Sequence, residues 1–449
     1  MEPMRILRVI ASMDPSTGGP CQGIRNTVPA MRGAGCQTEV VCLDAPGSSF
    51  LGSDPFHVHA LGKGTGPLYY HPALVPWLLS NLGRFDTVIV HGLWLWTSIA
   101  VRIATQRLRK KAKRPAIAST SLPSVSPGTQ RPTLSPPPYF VMPHGMLDPW
   151  FQNAPERRWK ALRNRLYWHL AEHRVISDAE GVLFTCCREM ELASTTFHRY
   201  RPKQEIDVGY GLPPPPPAES IQESLNSRIP NLPSCHPFLL FLGRIHPKKG
   251  VDLLIRAYAE VYASRTDNSA PVPHLVVAGP LDSDYGRKMI LLAESLLPGK
   301  VSCPPPQPRS TDSGRHSSRN GPFIHFPGQL GGEIKWAAMH GCEAFVLPSH
   351  QENFGIAVAE ALSCGKPVLI SDQVNIAPEI EAARAGLVGT DDQEGTNLLL
   401  RRWKDLQPVE RNLLVRSAYA CFRARFDVAY AAERLLAALR TGPPNASRP

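Results

Sequence analysis

The sequence lacks the cysteine spacing that would indicate a zinc site, a redox motif or a disulfide framework. Its 10 cysteines are scattered without a C-x-x-C pair, and the one close pair, Cys186 and Cys187, is adjacent. Long apolar runs are lacking too, because the uncharged stretch 64–83 contains three prolines and 87–101 is shorter than the ~20 residues of a spanning helix. No signal-peptide pattern is recognisable at the start. We therefore expect a reduced, cytoplasmic chain without a membrane span.

Acidic residues are outnumbered, with 38 Asp and Glu against 49 Lys and Arg, which gives a net charge of +11. This excess favours anionic partners, and composition does not choose among nucleic acid, phosphorylated metabolites and an acidic membrane surface. The charged fraction of 19% and the apolar fraction of 43% exclude global disorder. The 46 prolines and 34 glycines are clustered, so they indicate insertions and linkers rather than a fibrous protein.

Short apolar runs alternate with segments of helical length along the whole chain. Nearly apolar strands that alternate with helices are typical of parallel sheets covered on both faces. The runs that we interpret as strands are 6–10, 40–43, 87–90, 139–142 and 182–185 in the first half, and 238–242, 275–278, 323–326, 344–347 and 367–371 in the second. The sequence therefore predicts an α/β protein with two doubly wound, Rossmann-like domains.

Proline marks the boundary between these two domains. The five consecutive prolines Pro213–Pro217 cannot join a helix or a central strand, and a polar stretch follows them. The inserts 115–138 and 303–321 are too long and too poor in apolar residues for ordinary connections, so we expect surface loops there. The predicted segments are an N-terminal domain over 1–211, a proline-rich linker over 212–237, a C-terminal domain over 238–426, and a terminal helix with a tail over 427–449.

Ligands of open α/β sheets bind beyond the carboxyl ends of the strands, so we examined the residues that follow each predicted strand. After 238–242 comes the motif Gly243-Arg244-x4-Lys249-Gly250, with a helix predicted to begin at Val251. A guanidinium fork and an ammonium point charge at a helix N-terminus suit a diphosphate. A basic surface turn explains this motif equally well when it is taken alone.

A second polar segment, Glu352-Asn353-Phe354-Gly355-Ile356, follows the predicted strand 344–347, and Glu360 comes eight residues after Glu352. On one continuous helix, eight steps would separate the two carboxylates by ~12 Å. That exceeds the ~5–9.5 Å of a glycosidase pair. The spacing suits two hydroxyl-bearing ends of an extended ligand. Glutamates at this spacing are common in helices, so this segment alone is weak evidence for a ligand site.

Together the two motifs, in this order, resemble those of the family 4 retaining glycosyltransferases, and the resemblance covers most of the chain outside the proline-rich inserts. Three segments of the N-terminal half add to it, namely Gly18-Gly19-Pro20, Val90-His91-Gly92-Leu93-Trp94 and Pro143-His144-Gly145-Met146-Leu147. The chain is similar to members that act in bacterial surface polysaccharide assembly. The resemblance implies the B-type glycosyltransferase fold, in which two Rossmann-like domains face each other across a cleft.

The resemblance also implies roles for the motif residues of the C-terminal half. Arg244 and Lys249 would hold the diphosphate of a nucleotide-sugar donor. Glu352 would bind the donor sugar hydroxyls together with the backbone amides that follow it, and Glu360 would bind the ribose. The donor-binding segment is implied to comprise Glu352, Asn353, Phe354, Gly355 and Ile356.

In the N-terminal half the resemblance implies three further site residues. Gly19 would let a loop approach the donor phosphates without a side chain. His144 would contact the transferred sugar near its reacting carbon, although a turn histidine bonded to backbone is an alternative. His91 is a candidate cleft residue. The alternative interpretation is that His91 only shapes the end of its strand. With Arg244, Lys249 and Glu352, His144 completes the implied catalytic set.

The implied chemistry follows from charge. Cleavage of the sugar–phosphate bond leaves negative charge on the diphosphate, where Arg244 and Lys249 would stabilise it. The acceptor hydroxyl would attack from the leaving-group side, with the donor phosphate accepting its proton, so the anomeric configuration is retained. Since the two cations replace a metal ion in such enzymes, we expect neither metal nor cofactor. One segment would instead favour a metal ion, namely Asp282-Ser283-Asp284. A D-x-D motif of this kind holds Mn²⁺ or Mg²⁺ in A-type transferases.

Basic and aromatic residues concentrate in the segments 107–114 and 150–168. The usual explanation of this pattern is a solvated face with buried tryptophans. The other interpretation is an attachment surface for anionic lipid at the inner face of the membrane, which suits a lipid-linked acceptor. We expect no nucleic-acid partner, because no binding motif for nucleic acid accompanies the charge.

Two other function classes stay open. An epimerase or phosphorylase on the same scaffold would bind similar ligands but need different catalytic groups, and a non-catalytic protein would bind nucleotide sugars without turnover. Incubation of a sugar nucleotide without acceptor discriminates between an epimerase and a transferase. An isomerised sugar nucleotide indicates an epimerase, whereas slow release of nucleoside diphosphate indicates a transferase.

We predict that EDTA leaves sugar transfer unchanged, because two fixed cations neutralise the leaving group without a metal. Initial rates with and without EDTA, and after addition of Mn²⁺, measure this. Loss of transfer in EDTA with recovery in Mn²⁺ would instead assign a metal to the D-x-D segment.

Overall fold

The computed structural model describes residues 3–113, 135–154, 157–218, 236–263, 271–303 and 323–440, together with Leu225, Ile229 and Leu232. Nearly all of the predicted inserts 115–138 and 303–321 lies outside this part of the chain. The chain divides into two compact units. The first comprises residues 1–212 and 428–449, and the second comprises residues 213–427.

The first unit contains a parallel sheet of seven strands among its described residues. They are β1 (Met4–Val9), β2 (Cys36–Cys42), β3 (His57–Ala60), β4 (Thr87–His91), β5 (Tyr139–Met142), β6 (Gly181–Phe184) and β7 (Glu205–Asp207). Their order across the sheet is β3-β2-β1-β4-β5-β6-β7. Side chains alternate between the faces, so Leu7 and Val9 pack into one core cluster while Ile6 packs into another on the opposite face.

Helices cover both faces of this sheet, as the near-apolar strands predict. They are α1 (Gly19–Gly33), α2 (Leu74–Asn81), α3 (Trp96–Lys113), α4 (Trp150–Asn153), α5 (Arg158–Tyr167), α6 (His173–Asp178) and α7 (Cys187–Thr196). A π-helical turn, Trp168–Glu172, joins α5 to α6. Residues 158–178 are thus helical throughout, with the π-helical turn between the two α-helices.

The second unit repeats this architecture, again with a parallel sheet of seven strands in its described part. They are β8 (Phe238–Leu242), β9 (His274–Ala278), β10 (Val301–Ser302), β11 (Ile324–Gly328), β12 (Ala344–Leu347), β13 (Val368–Ser371) and β14 (Gly386–Gly389). Their order is β10-β11-β9-β8-β12-β13-β14. The helices of this unit are α8 (Val251–Ala263), α9 (Asp284–Leu296), α10 (Gly332–Gly341), α11 (Ile356–Ser363), α12 (Ala377–Ala382), α13 (Gln393–Asp405) and α14 (Pro408–Cys421).

The last described helix, α15 (Val428–Arg440), belongs to the first unit. Its apolar face, which includes Leu435 and Leu439, joins Ile6 and Phe140 in one core cluster. The amide of Val428 also donates a hydrogen bond of 3.0 Å to the carbonyl oxygen of Leu212. The chain thus returns to its first unit after completing the second.

The predicted fold class is confirmed, and each predicted strand is present with small shifts at its ends. The sequence patterns missed the edge strands β3, β7, β10 and β14, which are short or only partly buried. An edge strand pairs on one side only, so it does not need an apolar run. Among the described residues, no helix is both long and apolar enough to span a bilayer.

Two buried histidines pair between adjacent strands of the second sheet. His274 Nδ1 lies 3.0 Å from His325 Nε2, and the two side chains are 4% and 1% exposed. Burial and the nearby ring of His236 lower the pKa of His274 to about 3 and that of His325 to about 4. Both rings therefore stay neutral in the folded protein at pH values where they would be protonated in the unfolded chain.

We predict that the second unit loses stability as the pH falls below 6.5, because the unfolded chain then binds protons that the folded unit does not. Each buried histidine should contribute a loss of about 2 kcal/mol between pH 6.5 and pH 5. Urea unfolding at several pH values measures this. His325→Gln should flatten the dependence, whereas His198→Gln, at an exposed site, should not. Equal pH dependence in all three proteins would refute the assignment.

Candidate functional site

The motifs of the second unit lie where its strand order reverses. From the central strand β8 the chain runs to β9 on one side and later returns to β12 on the other. Ligands of doubly wound folds bind at such a switch point, outside the carboxyl ends of the strands. The loop 243–250 leaves β8 and the loop 348–355 leaves β12 at this place.

These two loops contact each other closely. The amide of His350 donates a hydrogen bond of 2.8 Å to the carbonyl oxygen of Lys248, and the Ser349 hydroxyl lies 3.0 Å from the same oxygen. Gly250 has φ 63°, and a Cβ at this residue would lie 2.0 Å from the Pro348 carbonyl oxygen. Only glycine fits both the backbone conformation and the contact.

The loop contact brings two predicted ligands together. The ammonium group of Lys249 forms an ion pair with the carboxylate of Glu352, and the two side chains are 15% and 20% exposed. Burial and the positive charges of Lys248 and Arg244 lower the pKa of Lys249, and the Glu352 carboxylate opposes this shift. Arg244 itself is exposed. The loops thus concentrate positive charge beside one carboxylate.

Glu352 lies outside the helix that carries Glu360. Helix α11 begins at Ile356, after Gly355 with φ 81°, and Glu352 hydrogen bonds instead to the loop after β13 through the carbonyl of Gln373 and the amide of Asn375. Only part of the interval between the two glutamates is helical, so the ~12 Å of a continuous helix does not describe their separation. Gly355, in the left-handed conformation, precedes the first helical residue, so the helix includes Glu360 but not Glu352.

Glu360 has a partner that the sequence did not reveal. Lys335 Nζ, on α10, donates a hydrogen bond of 2.7 Å to Glu360 Oε1. The ammonium group also lies 4.2 Å from the centre of the Trp336 ring. The predicted ribose ligand is thus held in one orientation by an ion pair between helices.

The D-x-D segment is explained by local structure. The Ser283 hydroxyl accepts a hydrogen bond of 3.0 Å from the amide of Gly286 and so caps α9. Asp284 is exposed and forms an ion pair with Arg287 one helical turn later. A capping serine flanked by acids at a helix N-terminus is a common arrangement.

The predicted residues of the first unit also follow strands at a switch point, which lies between β1 and β4. Helix α1 begins at Gly19, and the preceding Gly18 has φ 92°. The hydroxyl of Tyr210 donates a hydrogen bond of 2.9 Å to the Gly19 carbonyl. Gly18 therefore supplies the positive φ of the turn, and the Gly19 carbonyl connects the turn to Tyr210.

His91 and His144 form a pair in the first unit. His91 Nδ1 lies 2.9 Å from His144 Nε2. His91 is 3% exposed, while His144 is partly exposed and has φ 52°. Burial is the main cause that lowers the pKa of each ring, and the Arg8 guanidinium lowers both further. Both histidines are therefore neutral at physiological pH.

A buried carboxylate holds the turn that carries His144. Glu189, on α7, accepts a hydrogen bond from the amide of Gly145, and its other oxygen accepts from the amide and hydroxyl of Thr185. Sequence reasoning missed Glu189 as well as Arg8. A charge inside a near-apolar strand was the available signal for Arg8, whereas nothing local marks Glu189.

Solved structures with the same architecture cover almost the whole chain. HepE of Anabaena matches with a TM-score of 0.66 at 16% identity over 98% of this chain and 100% of that chain. Sucrose-phosphate synthase of Thermosynechococcus elongatus matches with 0.64 at 17% identity over 97% and 98%. These likenesses define the class of the fold, which is that of the B-type glycosyltransferases.

Two family models match most of the chain between them. The model described as a glycosyl transferase 4-like domain matches residues 18–208, and the one described as glycosyl transferases group 1 matches residues 236–405. Both matched regions of the chain are thus similar to glycosyltransferase domains.

Curated relatives match the chain over part of their length. D-inositol 3-phosphate glycosyltransferase of Gordonia bronchialis is 31% identical over 180 residues, which are 39% of this chain and 33% of the relative. The enzyme of the same name from Nocardia farcinica is 29% identical over 205 residues, 44% of this chain and 39% of the relative. The chain thus matches little more than a third of each relative.

We predict that Gly250→Ala weakens binding of a nucleoside diphosphate about tenfold or more, because the added Cβ pushes the two loops apart. Isothermal titration calorimetry measures this. Gly299→Ala is the matched control, since Gly299 also has a positive φ but a Cβ there meets no atom within 4 Å. Both variants bear the backbone strain, and only the first bears the clash. Equal affinity in the two variants would contradict the role of the loop contact.

Proposed function

We propose that the chain transfers a sugar from a nucleotide-diphosphate sugar to a hydroxyl of a glycan or lipid-linked acceptor, with retention of configuration and without a metal. The observation that carries this proposal is the junction of the two loops in the second unit. It places Lys249, Glu352 and their neighbouring amides at the switch point of a doubly wound sheet.

The donor half of the proposal draws on the ion pairs of the second unit. The diphosphate oxygens replace the Glu352 carboxylate as partners of Lys249, which leaves Glu352 to accept hydrogen bonds from sugar hydroxyls. Glu360, held by Lys335, accepts from the ribose. HepE of Anabaena, which shares the fold, has been solved with UDP, with UDP-glucose, and with UDP and glucose. We propose a nucleoside diphosphate of this kind as the leaving group.

The charge on each side of the broken bond determines the proposed mechanism. Lys249 and the exposed Arg244 stabilise the departing diphosphate, whose negative charge grows during bond cleavage. The sugar ring acquires positive character at the same time. A neutral His144 can hydrogen bond to a sugar hydroxyl without adding a repulsive charge. The donor phosphate accepts the proton of the acceptor hydroxyl, so no protein carboxylate is needed as a base.

The acceptor half of the proposal includes contact with a membrane. Helix α5 and the π-helical turn expose four large apolar side chains spaced three or four residues apart, which places them along one side of the helix. They are Trp159 (74% exposed), Leu162 (59%), Leu166 (58%) and Leu170 (63%), and we call them the apolar stripe. Of the aromatic residues predicted to be buried here, Trp168 is buried, but Trp159 is not.

The charges beside the apolar stripe are basic. Exposed flanking residues of α5, the π-helical turn and α6 are Arg158, Lys160, Arg163, Arg165, His169 and Arg174. The sequence from 157 to 171 contains no Asp or Glu. A helix with a tryptophan and leucines on one side and arginines beside them suits the interface of an anionic bilayer. We propose that the protein works there, on the cytoplasmic side, in surface polysaccharide synthesis.

The names of relatives and structural neighbours indicate two different acceptor classes. The curated relatives are named for D-inositol 3-phosphate, and WaaG, a neighbour with a TM-score of 0.53 at 16% identity, is described as involved in lipopolysaccharide biosynthesis. The description of WaaG agrees with the proposed acceptor class, whereas D-inositol 3-phosphate is a phosphorylated polyol and not a glycan or a lipid.

We predict that Arg244→Ala lowers kcat/KM for the donor about tenfold or more, because charged hydrogen bonds to phosphate contribute ~1.5–3 kcal/mol each. Initial-rate kinetics with a panel of nucleotide sugars measures this. Arg256→Ala removes an exposed arginine from α8 in the same unit and should leave the kinetics unchanged. Unchanged donor kinetics in Arg244→Ala would refute the diphosphate assignment.

We predict that the protein floats with vesicles containing phosphatidylglycerol and not with neutral phosphatidylcholine vesicles. Replacement of Leu162 and Leu166 by glutamine should abolish flotation, because it removes the apolar part of the stripe and keeps its charge. Leu291→Gln, at a residue that is 69% exposed in the second unit, is the control. Flotation that survives the double substitution, or equal negligible binding to both vesicles, would exclude the stripe as the attachment surface.

A further inference from the structure

The first sheet contains a buried charged residue on its central strand β1. Arg8, on β1, lies on the face that packs against α1 and α15, and it is 2% exposed. Its Nη2 donates a weak hydrogen bond of 3.0 Å to the thioether sulfur of Met31. In the part of the chain that the structure describes, no group accepts a hydrogen bond from Arg8 Nε. The guanidinium is therefore only partly satisfied.

The charge of Arg8 has no protein counter-charge among the described residues. Burial lowers the pKa of Arg8 to about 10, and no neighbouring carboxylate opposes the shift. The guanidinium is nevertheless protonated at neutral pH. A buried charge is costly unless an opposite charge or hydrogen bonds compensate it. The site thus calls for a negative group.

A small cavity adjoins this guanidinium. Its walls include Arg8, Thr27, His91, Met142, His144 and Leu435. The centre of a water molecule can occupy about 20 Å³ of it, and one water needs ~10–15 Å³ by this measure. The cavity therefore has room for one particle of about the size of water. Phosphate and sulfate ions are larger than such a particle.

A second donor lines the same cavity. His91 Nε2 is buried and has no hydrogen-bond partner among the described residues, while Nδ1 of the same ring faces His144 Nε2 at 2.9 Å. When His144 Nε2 carries the proton of that contact, the neutral His91 ring carries its own proton on Nε2. The cavity wall then presents an N–H from Arg8 and an N–H from His91.

We propose that this cavity binds a monatomic halide, chloride under cellular conditions, through Arg8 Nε–H and His91 Nε2–H. The ion supplies the missing negative charge and accepts hydrogen bonds from the two donors. A water molecule fits the space but leaves the guanidinium charge uncompensated. The site adjoins His144, which the proposed sugar transfer also uses, and its ligand is held inside the first unit.

Bromide provides the direct test, because it resembles chloride in charge and size and scatters anomalously. Crystals of the full chain soaked in sodium bromide should show an anomalous peak in contact with Arg8 and His91. Crystals of Arg8→Met should show none in the cavity. Wild-type crystals without a peak in the cavity, with other bromide peaks on the surface, would overturn the proposal and leave a water molecule as the occupant.

Thermal unfolding gives a second test in solution. At constant ionic strength, exchange of gluconate for chloride should raise the Tm of the wild-type protein by an amount that grows with the logarithm of chloride concentration. Arg8→Met should lose this shift. Arg5→Met, which removes an exposed arginine from the same strand, should keep it. An equal shift in all three proteins, or none in the wild type, would overturn the proposal, and the bromide experiment decides alone if Arg8→Met does not fold.

Discussion

The close approach of two loops at the centre of the second sheet is the constraint on which the candidate site depends. Gly250 lets the backbone after β8 lie against the Pro348 carbonyl, and the Lys248 carbonyl then accepts a hydrogen bond from the loop after β12. Without that contact, Lys249 and Glu352 would belong to separate surface loops. With it, a cation and a carboxylate occupy one partly buried place, where electrostatic interactions are stronger than in bulk water.

Three charged residues proposed to bind the donor, Lys249, Glu352 and Glu360, are paired with each other or with a neighbour. Lys249 pairs with Glu352, and Glu360 pairs with Lys335. Pairing holds long side chains in defined positions, so a ligand exchanges one set of charged contacts for another instead of ordering mobile groups. The first unit uses the same device, since the Glu189 carboxylate holds the turn of His144 through backbone amides.

Sequence patterns predicted the features that local residues determine. Near-apolar runs predicted the central strands, because buried parallel strands require them, and the two motifs predicted which loops carry the site. The edge strands were not predicted, because a strand that pairs on one side only does not need an apolar run. The roles of Lys335 and Glu189 were not predicted for another reason. Each contacts its partner across 25 or 44 residues of sequence, and only the folded sheet brings such residues together.

The return of the chain to its first unit has a consequence for biosynthesis. Helix α15 completes the hydrophobic core around Ile6 and Phe140, yet it is formed from the last described residues. The residues of the second unit are thus synthesised between the two parts of the first unit. The second unit can fold while still attached to the ribosome, whereas the first unit must wait, with part of its sheet uncovered, until residues 428–440 have been synthesised. A fragment that ends at residue 212 would keep that surface exposed and need a chaperone or a grafted helix.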